Sequence, residues 1–137
     1  MSAPPLPGPP ARRCGRDQRG AQAVEFALVL PILLALLVGI MEFGMMFNRQ
    51  VMVTQAARAA ARSMAIHNSP SDARAAARNA APSLGLTDSQ ISVTPSTCPP
   101  TGKTDVVVTI TRDTPMFTGM FGASIVLEGR GVMRCGG

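Results

Sequence analysis

Residues 19–47 read RGAQAVEFALVLPILLALLVGIMEFGMMF. From Phe26 to Met41 the stretch runs sixteen residues without a charge, framed by Glu25 and Glu42. Sixteen helical residues rise about 24 Å, a little less than the ~30 Å hydrocarbon core of a bilayer. Extending the helix to Ala21 and Phe47 gives about 40 Å, enough to cross with both glutamates at headgroup depth. The stretch therefore predicts one membrane-spanning helix over residues 21–47. Pro31 lies inside it; a proline there frees one carbonyl and kinks the axis, which lipid-embedded helices tolerate when the freed group finds a partner.

On the N-terminal side, residues 1–20 are rich in Pro, Gly and Arg and cannot bury a core, so they read as a disordered basic leader. Arg12, Arg13, Arg16 and Arg19 stand against Asp17, a net +3 out of +5 for the whole chain. On the other flank the nearest cation is Arg49, then Arg58 and Arg62. The positive-inside rule places the N-terminus in the cytoplasm and the C-terminal part outside, a single pass through the cytoplasmic (inner) membrane. A cleaved secretory signal fits less well. The run is long, and the one A-x-A triplet, Ala21-Gln22-Ala23, precedes it.

Composition narrows the function classes. The chain has 137 residues, 46% hydrophobic and only 15% charged. It has no Trp or Tyr and five Phe, which argues against base-stacking nucleic-acid modules. One His excludes a multi-His metal site within the chain, and no metal or cofactor is expected. The basic excess belongs mostly to the leader and gives no nucleic-acid-binding surface.

Past the apolar run, residues 48–86 are Ala-rich with spaced arginines. NRQVMVTQAARAAARSMAIH, residues 48–67, has no Gly or Pro and should continue the helix. Val51, Thr54, Ala57/Arg58, Ala61 and Met64/Ala65 recur at three- and four-residue steps, a face of small residues that allows close helix approach. Asn68-Ser69-Pro70 ends the helix. Ser69 or Ser71 can cap a second one, Asp72 to Ala81, stopped by Pro82 and Gly85. Residues 87–137 turn β-rich: Ile91–Thr94, Thr104–Thr111, and Ala123–Arg134, the last open to a break at Gly129 or Gly131. Asp113-Thr114-Pro115 and Phe117-Thr118-Gly119 punctuate the connection. The expected fold is α+β: a long N-terminal transmembrane helix continuing outside the membrane, a short second helix, and a small antiparallel β-sheet.

Cys14 falls in the leader, whereas Cys98 and Cys135 both fall in the outside part. A pair in an oxidising compartment reads as a disulfide, against the alternative of two free thiols. Such a bond stabilises a sheet of this size by roughly 3–4 kcal/mol on the loop-entropy view.

The basic leader ends at Gly20; Glu25 and Phe26 follow, and then the apolar helix. Gly20-Ala21-Gln22-Ala23-Val24-Glu25-Phe26 resembles the processing site of type IV prepilins of the Flp class. From Gly20 to about Arg62, with VEFALVLPILL, the Gly39–Gly44 border and the Ala-Ala-Arg helix, the chain is similar to the TadE-like family of tight-adherence (Tad) pilus proteins. The resemblance implies a pilin-like fold and a minor pseudopilin acting in Flp/Tad pilus biogenesis and adhesion, with no enzymatic activity. It implies cleavage between Gly20 and Ala21 by a membrane aspartic prepilin peptidase of the TadV-like kind. Its implied partners are the membrane, other pilins or pseudopilins, and Tad assembly proteins. A glycine lets a peptidase bring extended backbone close to its carboxylates. The new amine at Ala21 then lies one helical turn from Glu25, whose carboxylate can neutralise it or a neighbour's.

Blander readings stand beside these. Glu25 and Glu42 can simply be interfacial acids, with Glu42 alternatively pairing with Arg49 or another subunit. Met41, Met45, Met46 and Met52 read as apolar filler, His67 as a helix-end residue, and Arg74 and Arg78 as a solvated face. The chief alternative function is an uncleaved single-pass scaffold of a Tad-type assembly system. An extracytoplasmic enzyme is disfavoured by the few acids, the single His and the lack of a nucleophile motif after residue 48.

Overall fold

The computed structural model describes residues 8, 17–100, 103–116, 119, 122 and 124–136. Cys14, Arg12, Arg13 and Arg16 of the leader, the turn residues Phe117 and Thr118, and Ala123 lie outside the described residues. The element order is α1 (Asp17–His67), α2 (Pro70–Ala80), two 3-10 turns (Pro82–Leu84 and Asp88–Gln90), β1 (Ile91–Thr94), β2 (Asp105–Pro115) and β3 (Ser124–Arg134). This is the α+β arrangement expected: a long apolar helix, a short helix and a three-stranded antiparallel meander in the order β1-β2-β3. By contact density the chain divides into two compact units, Met1–Gly39 and Ile40–Gly137.

The first unit contains the opening part of α1. Residues 17–20, expected to be disordered, are helical and belong to α1. From Gly20 to Leu37 every residue is exposed. The most apolar 18-residue window has mean hydropathy 2.6 and none of it is buried. Pro31 sits within the helix without ending it.

The second unit is a helix-on-sheet sandwich. Ala is the strongest helix former, and the run from Asn48 to His67 has no breaker, so α1 continues through it. Asn68 ends it in the left-handed region (φ 50°), its N–H donating to the Met64 carbonyl at 2.9 Å. Ser69 caps α2 by accepting from the Asp72 N–H at 3.4 Å, with Pro70 in the first turn. The helix thus runs Pro70–Ala80, shifted from the expected Asp72–Ala81 because the capping serine is the earlier of the two candidates.

β2 pairs with β3 along its whole 11-residue length, Val108 opposite Gly131 and Ile110 opposite Gly129. β1 covers the other side of β2 from Val107 to Ile110. Alternation sends Val106, Val108 and Ile110 inward, all fully buried. They meet Val53, Met64, Ile91 and the alanines of α1 and α2 in one core. Each fully buried aliphatic side chain contributes roughly 1.5–3 kcal/mol of transfer free energy.

β3 is continuous; Gly129 and Gly131, read as possible breaks, lie in its middle. Their role is steric. A Cβ on Gly129 would stand 2.6 Å from the Val53 carbonyl oxygen. One on Gly131 would stand 2.5 Å from the Ala57 carbonyl carbon and 2.7 Å from the Arg58 nitrogen. Real Cβ atoms do not come that near to backbone, so the two glycines let α1 lie directly on β3. The close approach expected from the small-residue helix therefore occurs, but its partner within the chain is a strand. Of the expected face Ala57, Ala61, Met64 and Ala65 are buried and Thr54 half-buried; Val51 and Arg58 are exposed, and Val53, Ala56 and Ala60 widen the buried side.

Candidate functional site

Gly20, Ala21, Glu25 and Phe26 are all exposed on α1. Glu25 stands four residues after Ala21, one turn along the same helix. A Cβ on Gly20 would meet nothing within 4 Å. Gly20 is thus the reverse of Gly129 and Gly131, with no contact inside the chain requiring its missing side chain. A glycine in a helix costs up to about 1 kcal/mol relative to alanine. Nothing in the packing offsets that here.

Glu42 is buried within the second unit. It is only 6% exposed, whereas its neighbours Met41 and Phe43 are 60% and 73% exposed. It begins the sheet-facing stripe of α1, and Met46, Arg49 and Val53 follow on the same side at steps of four and three. A cavity of about 280 Å³ opens beside it, lined by Glu42, Met45, Met46, Arg49, Pro115 and Met116. The 3.6-residue spacing from Glu42 to Val53 was the available sequence signal; the apolar run ending beside it hid the change of surroundings.

Cys98 and Cys135 are joined, with sulfurs 2.06 Å apart and a sequence separation of 37. Both ends are tied to the C-terminal end of α1. The Asn68 side chain accepts from the Cys98 N–H and donates to the Cys98 carbonyl at 3.5 Å. Gly136 N–H donates to the Ala65 carbonyl at 3.3 Å, and Cys135 N–H to Thr104 at 2.9 Å. Asn68 was visible in the sequence only as a helix terminator; its grip on Cys98, 30 residues away, was not.

The remaining polar groups are structural. His67 Nδ1 lies 3.1 Å from the Ser63 carbonyl at the helix end. Arg78 is paired with Asp88, and Arg74 is half-buried rather than solvated. Gln50 Nε2 donates to the Glu128 carbonyl at 2.7 Å, fastening α1 to β3. Among the described residues no three His, Cys, Asp or Glu side chains are grouped to hold a metal ion.

Among the described residues, one helix is long and apolar enough to cross a membrane, and it leads into a small disulfide-linked helix-on-sheet unit. That defines an α+β protein with one candidate membrane helix, and the exposed Gly20–Phe26 segment is its candidate site. Residues 20–62 of the chain match the TadE-like protein family, a match that begins at Gly20. It suggests a Tad pilus-associated function for a membrane protein. No curated protein and no solved structure matches the chain.

Proposed function

We propose that the chain is a TadE-like minor pseudopilin, cut between Gly20 and Ala21 by a TadV-like prepilin peptidase and acting in Flp/Tad pilus biogenesis and adhesion. The leader lies in the cytoplasm, residues 21–47 span the inner membrane once, and the Ala-rich and β-rich regions lie outside. The observation that carries this reading is Gly20 itself. It is exposed, has no packing reason to be glycine, and opens the segment that matches the family. A peptidase that must bring backbone against its catalytic carboxylates supplies the missing reason.

Hydrolysis adds one water across the Gly20–Ala21 peptide bond. The bond breaks, Gly20 leaves with a carboxylate, and Ala21 begins the mature chain as an ammonium. Because Gly20 is helical, the first turns of α1 must open before the bond can enter an active site. Helix ends fray readily, and glycine lowers the cost. After the cut, the ammonium of Ala21 faces the carboxylate of Glu25 one turn on. In an apolar assembly an unpaired Glu25 is expensive, so the acid selects positions where an amine meets it, its own or that of a neighbouring pilin.

One observation favours a second reading, an uncleaved single-pass scaffold of a Tad-type assembly system: α1 runs unbroken from Asp17 through Gly20. The variant Glu25→Ala separates the two. With cleavage and docking, the variant inserts into the membrane as before but accumulates with its leader, fails to support pili, or both. Wild-type levels of piliation and adhesion in that variant remove the pseudopilin reading.

A further inference from the structure

The chain has nine methionines, and Met45, Met46 and Met116 line one cavity of about 280 Å³. The first two come from α1 and the third follows the end of β2; Glu42, Arg49 and Pro115 line the same cavity. All six residues belong to the second unit. A methionine that fills a gap in a core is buried, as Met64 is at 0% exposure. Met45 is 45% exposed, and Met46 and Met116 are half-buried, so these three are set at an opening instead.

A thioether sulfur is a soft, uncharged donor with no proton to lose. Ligands of this kind select copper(I) over the hard ions that carboxylates and carbonyls take. The methionine side chain is unbranched and turns about three bonds, so sulfurs from two elements can converge on one point. Glu42 and Arg49 bring one acidic and one basic side chain to the lining, and their formal charges offset. In such surroundings a monovalent ion costs less to desolvate than a divalent one. We propose that this cavity binds a soft monovalent ion, copper(I), on the thioethers of Met45, Met46 and Met116. The site is independent of the leader's fate: a chain cut after Gly20 and an intact one carry the same residues.

The test uses the full disulfide-bonded chain in detergent and chloride-free buffer, with isotope-labelled methionine methyls followed by NMR. Silver(I) is the probe, because it is soft and monovalent like copper(I) and does not change oxidation state. Cys14→Ser removes the leader thiol, which would compete for it. Silver nitrate is expected to move the methyl resonances of Met45, Met46 and Met116 together, saturating at one ion per chain. The exposed Met41 and Met133 are expected to stay unmoved. Met116→Leu keeps the side-chain volume and is expected to weaken binding by about tenfold or more, whereas Met133→Leu leaves it unchanged. Zinc and calcium are expected to move none of these methyls. The shifts in the parent chain decide the matter even if Met116→Leu fails to fold. Shifts shared equally by Met41 and Met133 show scattered surface thioethers only and overturn the inference. Binding by folded Met116→Leu as tight as the parent's also overturns it. So does zinc moving the three methyls as silver does, which assigns the ion to Glu42 rather than to the sulfurs.

Discussion

Gly131→Val destabilises the second unit by roughly 3 kcal/mol or more, at the upper end for overpacked sites. The new Cβ would overlap the Ala57 carbonyl, and the Arg58 nitrogen would be 2.7 Å away. These are backbone atoms of a helix, so no rotamer change relieves the clash; β3 must leave α1 or the helix must distort. Either response uncovers the core beneath, where Val108, the partner of Gly131, is fully buried. Gly129→Ala acts the same way against Val53. The control is Gly44→Ala, a helical glycine with open space around it. That change is neutral or stabilises by up to about 1 kcal/mol through helix propensity. Denaturant unfolding of the full chain in detergent, followed by circular dichroism, checks all three. A Gly131→Val protein as stable as the parent shows that α1 does not lie on β3.

Cys98→Ser with Cys135→Ser costs roughly 3–4 kcal/mol for a separation of 37 residues. In a unit of this size that lowers the thermal midpoint by about 15 °C or more. The effect is large because the core is small and seven of its seventeen residues are alanines, each burying little apolar area, so it needs the constraint. The bond joins the loop after β1 to the end of β3, and both of its ends are fastened to the last turns of α1. Its loss frees the sheet from the helix end as well as closing no loop. Equal midpoints for oxidised parent and double variant contradict this.

The sequence announced the elements better than their meeting faces. The apolar run, the breaker-free alanine helix, Ser69 as a cap and the β-branched runs are local signals, and the elements formed where those signals stand, except that β2 runs on through Asp113-Thr114-Pro115, expected as connection, because these residues pair with Val126, Ile125 and Ser124 of β3. The buried side of α1 was different. Between Ala56 and Ala65 most positions are alanine, so hydrophobic contrast around the helix is nearly flat and periodicity cannot set its rotation. Rotation is set from outside, by Gly129 and Gly131 on a strand more than sixty residues away in sequence. In a strand those glycines look like weak points; only the helix above them shows their use. Glu42 is a similar case. Its position after an apolar run suggested a headgroup, and Pro115 and Met116 at the end of β2, which line the cavity beside it, come from far along the chain.

The Gly20–Phe26 segment was legible for the opposite reason. Under the proposed function its reader is a peptidase that takes linear sequence, so residue types and spacing carry the reading without tertiary contacts. The segment is exposed on α1, and the helical backbone at Gly20 would add an opening step that composition did not show.

The most direct measurement is the N-terminal residue of the protein extracted from the membranes of cells that assemble Tad pili, by intact mass and terminal sequencing. A mature chain beginning at Ala21 is the expected result. A membrane-bound chain that still carries Arg12, Arg13, Arg16 and Arg19 ahead of an intact Gly20–Ala21 bond contradicts it.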